Sequence, residues 1–195
     1  MNFICRILRN RHSLSVVRLK SRPRYAAFRA PGVRIFFNAG GTSRRNSLTL
    51  EQTLVILTKI YALLPAAEVL FNTFNVRWIN KYPTLLTQIF PRVVMLKTPT
   101  VSELVEHVSH ADLVVTTDTG ACHVATALGI NQIRFMTSNE LTTQSFVPTY
   151  VWFRDIDIRD KDAVNWRDFE DFIKLALAHH SETRNPFYTE GGVTL

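Results

Sequence analysis

An acid, a hydroxyl, a glycine and a histidine follow closely on one another in TTDTGACHVATALG, residues 116–129. Together they are suited to binding an anion. Val114 and Val115 carry an apolar strand that stops at Asp118, and a helical pattern begins directly afterwards. Gly120 at that turn lets a ligand come close to the backbone, because no side chain intervenes. The first N–H groups of the helix lack intrahelical partners, and the helix dipole adds positive potential, so phosphate is favoured there. Thr119 can contribute a hydroxyl and His123 an imidazole N–H, while Ala121, Ala125 and Ala127 let the helix lie close to a sheet. Plainer readings stand beside this one. Asp118 can be the N-cap of its own helix, His123 a structural histidine, and Cys122 a small buried filler. Asp118 and His123 lack the third and fourth ligands of a metal centre, so no metal and no cofactor is expected.

A second polar turn, NAGGTSRRNS (38–47), closes the first strand. Gly40 and Gly41 make it conformationally permissive. Thr42 and Ser43 offer hydroxyls, and Arg44 and Arg45 offer charge-assisted bonds suited to phosphate. Taken alone, this is equally a solvated basic loop. It matches neither GxxxxGK[ST] nor GxGxxG. Two strand-end turns adapted to anions imply a diphosphate-like ligand lying between them.

The elements that would position these turns alternate. Strands are expected at 33–41, 67–74, 92–97, 112–117, 132–138 and 150–155. Helices are expected at 48–65, 80–91, 100–111, 119–130 and 166–180. The first of these helices has Leu50, Leu54, Leu57, Tyr61 and Leu64 at helical spacing, with Thr49 as cap and Pro65 as stop. The third is capped by Thr100 or Ser102. Strands interleaved with helices of this length imply an α/β fold: a Rossmann-like parallel sheet with helices on both faces and right-handed connections. Ligands of such sheets bind beyond the carboxyl ends of the strands, where both turns lie.

The whole chain is compatible with one such domain. It has 195 residues, 46% of them hydrophobic, which suffices for a sizeable core. Two cysteines, Cys5 and Cys122, exclude a disulfide framework. No apolar run reaches the length of about 20 residues that spans a bilayer. The net charge of +7 is concentrated at the start: no acid precedes Glu51, whereas Arg6, Arg9, Arg11, Arg18, Lys20, Arg22, Arg24 and Arg29 lie in the first 31 residues. Three divisions follow: a basic arm or linker (1–31), the Rossmann-like domain (32–181) and a flexible tail (182–195). The arm reads first as a solvated linker, and otherwise as a transit peptide or a patch for an anionic surface such as phospholipid or nucleic acid. Nucleic acid ranks lower as a partner, because aromatic side chains do not interleave with the basic ones.

The segment KTPTVSELVEHVSHADLVVTTDTGACHVATALG (97–129) resembles the ADP-heptose:lipopolysaccharide heptosyltransferases, glycosyltransferase family 9. That family carries a D-T-G-x-x-H-x-A-x-A signature, matched here by Asp118, Thr119, Gly120, His123, Ala125 and Ala127. GTSRRNSLTLEQ (41–52) is similar to an earlier family segment, in which a basic residue follows a small-residue turn and precedes a helix. The resemblance implies one half of a GT-B fold, the C-terminal half that binds the nucleotide sugar, expected to be ADP-heptose. It implies diphosphate contacts by Thr119, Gly120 and His123, with Thr42, Ser43 and Arg45 on the other side, and Lys97 and Thr98 near the nucleoside. It further implies metal-free glycosyl transfer in which basic groups and the helix dipole stabilise the leaving diphosphate. The chain would work at the cytoplasmic face of the inner membrane, in contact with anionic lipid, and with a partner chain supplying the acceptor domain. The family's proposed base, an aspartate, belongs to the other half, so no catalytic residue is assigned in this chain. Ala121 and Asn131 stand where the family often has proline, and Met136 replaces a glycine-containing turn, which weakens any contact by Ser138 and Asn139. The alternative is a non-catalytic Rossmann-like module for membrane or protein association.

Overall fold

The computed structural model describes residues 32–41, 44–137 and 151–182, without the side chains of Arg44 and residues 179–182. The expectations for the basic arm, Thr42, Ser43, Ser138, Asn139 and the tail beyond residue 182 lie outside the described residues.

Six strands form one sheet: β1 (Arg34–Asn38), β2 (Glu68–Asn72), β3 (Val93–Leu96), β4 (Leu113–Thr117), β5 (Gln132–Met136) and β6 (Phe153–Asp157). Their order is β3-β2-β1-β4-β5-β6, and every neighbouring pair is parallel. This is the doubly wound order, with its topological switch between β1 and β4. The helices are α1 (Leu50–Leu63), α2 (Leu85–Ile89), α3 (Val101–Ser109), α4 (Gly120–Ala127) and α5 (Trp166–Glu182). Among the described residues no helix is long and apolar enough to cross a membrane.

Alternate strand residues serve opposite faces, as the pleat requires. Ile35, Phe37, Val69, Phe71, Val93, Val115, Ile133 and Phe135 build the larger core with Ile56, Leu57 and Ile60 of α1, Leu86 of α2 and Phe169, Phe172 and Ile173 of α5. Phe36, Leu70 and Val114 turn to the other face, against Val108 of α3 and Ala121, Val124 and Ala125 of α4. Ala121 and Ala125 of α4 are buried and let that short helix lie against the sheet, whereas Ala127, expected to do the same, is exposed.

Caps set where the helices begin. In α1 the Gln52 N–H donates to the Thr49 hydroxyl at 3.1 Å, and the Thr49 N–H donates to the Gln52 side chain at 2.9 Å. In α3 the same reciprocal pair is made by Thr100 and Glu103, so Thr100 rather than Ser102 is the cap. At its far end α4 closes on Gly129 at φ 71°, and the Ile130 N–H returns to the Ala125 carbonyl at 2.9 Å.

All the expected elements differ in extent by a residue or more, two of them as follows. The helix expected over 80–91 is a 3-10 turn at Arg77–Asn80 followed by the five-residue α2, because Pro83 interrupts the backbone bonding. The last strand begins at Phe153, not at residue 150. Gly40 also has a different role from the one read in the sequence. It has no positive φ; what it supplies is space, since a Cβ there would lie 2.6 Å from the Phe74 carbonyl oxygen and 2.8 Å from the Asn75 carbonyl carbon. Gly40→Ala should therefore destabilise the fold by about 1–3 kcal/mol, the usual cost of overpacking. The shift of the urea midpoint at unchanged m-value measures it, and an unshifted midpoint would show that the turn yields freely.

Candidate functional site

Three strands that are apolar in their interiors end in polar residues: β1 in Asn38, β2 in Asn72, and β4 in Thr116 and Thr117. All four are buried, so their polar groups must find partners within the protein. The Asn72 side-chain amide donates to the Asn38 side-chain oxygen at 2.8 Å. The Asn38 amide in turn donates to the Gly40 carbonyl at 2.9 Å and to the Thr119 hydroxyl at 3.0 Å. Thr119 and Thr116 share a hydroxyl–hydroxyl bond of 3.0 Å. This chain of bonds joins β2, β1, β4 and the start of α4 at one edge of the sheet.

Further bonds tie the two turns directly. The Asn46 amide donates to the Asp118 carbonyl at 3.2 Å, and the Thr117 hydroxyl donates to the Asn46 carbonyl at 2.6 Å. From the end of β5, the Thr137 hydroxyl donates to the Arg45 carbonyl. A Cβ on Gly41 would come within 2.7 Å of the Asn46 carbonyl oxygen and 3.2 Å of the Thr119 methyl. The turns following β1 and β4 thus lie together at the switch point of the sheet.

The expected site residues whose side chains are described have definite places. Thr119 is the N-cap of α4 in extended conformation, and its side chain makes no capping bond; its hydroxyl is engaged with Asn38 and Thr116 instead. Asp118 is not the helix cap, contrary to the plainer reading. Its carboxylate takes the Cys122 thiol at 3.9 Å. Gly120 is exposed, has no positive φ, and a Cβ on it would meet nothing within 4 Å. Neither backbone strain nor internal packing calls for a glycine there; the space in front of it is open. His123 is half-buried on the first turn of α4. Arg45 is exposed in the 3-10 turn Arg44–Asn46.

Lys97 and Thr98 follow β3 at the same edge but three strands from β4, roughly 14 Å at the usual strand spacing. Lys97 is exposed, whereas Thr98 is 4% exposed, so Lys97 is the member of that pair facing solvent.

The sequence reading missed a buried charge. Arg134, in the middle of β5, is 1% exposed. Its guanidinium holds Asp155 of β6 through two bonds of 2.7 Å, and Phe153 lies 5.1 Å away on its face. The signal was an arginine inside an inner parallel strand, where an unbroken apolar run is the rule, together with an aspartate in the next strand.

Arg134 also bears on the cluster at α4. Burial lowers the affinity of His123 for a proton; neighbouring Asp118 opposes this and Arg134 reinforces it. Burial, with Asp118 alongside, pushes the Cys122 thiol up to about 11 against the pull of Arg134. Asp118, Cys122 and His123 place one potential ligand atom each within 4.8 Å of one another, so the third ligand missing from the sequence reading is present. A cation there would meet the charge of Arg134 and would need a thiol that holds its proton firmly.

Similarity to known proteins agrees with the geometry. Residues 86–157 match the model of Glycosyltransferase family 9 (heptosyltransferase). No curated protein sequence matches the chain. Among solved structures, the ADP-heptose lps heptosyltransferase II of E. coli is similar at 14% identity and a TM-score of 0.59, over 80% of this chain and 50% of that one. The E. coli heptosyltransferase WaaC with ADP is similar at 15% identity and a TM-score of 0.56, over 74% of this chain and 44% of that one. A glycosyl transferase family 9 structure from Veillonella parvula DSM 2008 gives 16% identity and a TM-score of 0.55, over 82% and 49%. At these identities the structures establish a shared fold, and the chain spans about half the length of each. The matched residues 86–157 run from α2 to the end of β6, so the likeness to glycosyltransferase family 9 includes the strand–turn–helix element at α4.

Proposed function

We propose that this chain is the nucleotide-sugar-binding domain of a lipopolysaccharide-core glycosyltransferase, with ADP-heptose as donor. The observation that carries the reading is Gly120, a glycine facing open space at the first turn of α4, beside a turn fastened to it through Asn38, Asn46 and Thr117. A diphosphate placed there meets the N–H groups and positive end of α4 on one side and the basic turn with Arg45 on the other. Thr119 contributes through its position at the helix start, since its hydroxyl is engaged internally. His123 adds a directional donor. Lys97, three strands along the same edge, is at a distance suited to the nucleoside end. The ADP named with the similar WaaC structure supports the choice of nucleotide.

In this reading the domain runs over residues 32–181 and supplies the leaving-group half of the reaction. As the glycosyl bond to the diphosphate breaks, the helix terminus and Arg45 take up the developing negative charge. The base that activates the acceptor comes from an acceptor-binding domain, on this chain's natural extension or on a partner. The basic segment 1–31 would draw the assembly to the anionic cytoplasmic face of the inner membrane.

Gly120→Ala tests the assignment. Alanine is the better helix former and meets no obstruction, so folding should be unchanged or stabilised by up to about 1 kcal/mol. Calorimetry with ADP should nonetheless show affinity lowered at least tenfold, because the methyl group occupies the phosphate approach. Equal ADP affinity in the variant, or no ADP binding by the parent chain at millimolar ligand, would refute the reading. Arg45→Ala should weaken ADP by about 1–3 kcal/mol, the range for a charged hydrogen bond. It should also flatten the salt dependence of binding while leaving adenosine binding unaltered; an unchanged salt dependence would remove Arg45 from the site.

A further inference from the structure

The proposed diphosphate site contains a difficulty of its own: it has a carboxylate. Asp118 stands at the end of β4, one residue before the N-cap of α4, where its charge would repel the phosphates. Among the described residues its carboxylate takes a long contact from the Cys122 thiol.

The compensating charge lies beneath. Arg134 pairs in register with Thr116 of β4 and with Asp155 of β6, on the face covered by α4. Its charge acts on Asp118, Cys122 and Asp155. The two parallel bonds to Asp155 and the ring of Phe153 hold the guanidinium in place. A lysine at this position could not make that planar fork. A lone buried ion pair contributes little to stability, and apolar residues of similar volume often replace one without loss. The Arg134–Asp155 pair is also asymmetric: the arginine side chain is 2% exposed and the aspartate 33%. The cation is therefore the sequestered member, on the side of Asp118 and His123.

We propose, building on the nucleotide reading above, that Arg134 is a positioning residue for the diphosphate site, the buried counter-charge that allows the Asp118 carboxylate to remain at a pocket for anions. Asp155 and Phe153 orient it. The groups facing His123 are Asp118 at the end of β4, Cys122 on its own helix and Arg134 on β5, with Asp155 of β6 behind the arginine. In this arrangement His123 stays neutral near pH 7 and meets the phosphate as a hydrogen-bonding group rather than as a second cation. The net positive potential comes from a side chain that no proton equilibrium can discharge.

The test compares the parent chain with Arg134→Lys and with the double variant Arg134→Met/Asp155→Leu, which exchanges the pair for apolar side chains and is expected to fold. The His123 ring resonances, identified by their loss in His123→Gln, are followed through a pH titration without ligand. In the double variant the His123 midpoint should rise, as removal of a nearby like charge requires, and in Arg134→Lys it should stay near the parent value. ADP affinity at pH 8 should fall about tenfold in the double variant, with adenosine affinity unchanged. A folded double variant whose His123 midpoint does not move, or which keeps full ADP affinity, overturns the proposal. Should the parent chain bind no ADP, the nucleotide reading falls, while the His123 midpoint still decides whether Arg134 sets the charge state of this corner.

Discussion

The side-chain amide of Asn38 is the constraint on which the rest of the edge depends. It accepts from Asn72 with its oxygen and donates to Gly40 and Thr119 with its nitrogen, while only 4% exposed. A buried amide that is fully partnered costs little, whereas one left unpartnered costs about 1–3 kcal/mol. The lowest-energy arrangement is therefore the one in which the turn after β1 and the start of α4 stay together. The doubly wound strand order brings those two segments to neighbouring strands, and the Asn38 network sets their spacing.

Around that joint the sheet edge divides its work between packing and access. Gly40 and Gly41 are small because other backbone segments occupy the space beside them. Gly120 is small although none of the described residues lies beside it. The contrast separates glycines that the packing requires from one that it does not. Charge is divided in the same way: Arg45 is exposed at the rim, while Arg134 is enclosed beneath the helix. The outer charge can touch a ligand; the inner one can act only through its field and through Asp118 and His123.

Much of this was legible in the residues. Alternation of apolar strands with amphipathic helices gave the parallel α/β sheet, and Thr49 and Thr100 marked helix starts where the chain uses them. The D-T-G-x-x-H block pointed to the family and to the strand–turn–helix element. Other features were hidden because they depend on pairing across the sheet. Nothing local to β1 shows that Asn38 reaches Thr119 eighty-one positions later, or that the Thr119 hydroxyl is thereby turned inward. Cys122 joined Asp118 and His123 only once the chain reversed at residue 119. Arg134 was visible as an interruption of an apolar strand, but its partner had to be found on another strand. The short helix in 80–91, bounded in the sequence by Pro83 and Pro91, forms only over Leu85–Ile89.

The central claim is that the turns near residues 41 and 120 form one pocket for a nucleoside diphosphate. Amide chemical-shift mapping of the whole chain during an ADP titration tests it most directly. The account predicts that Gly41, Arg45 and Asn46 shift together with Gly120, Ala121 and His123 along one saturation curve, while residues at the amino ends of the strands stay still. Shifts confined to one turn, or scattered over the opposite edge of the sheet, would contradict it.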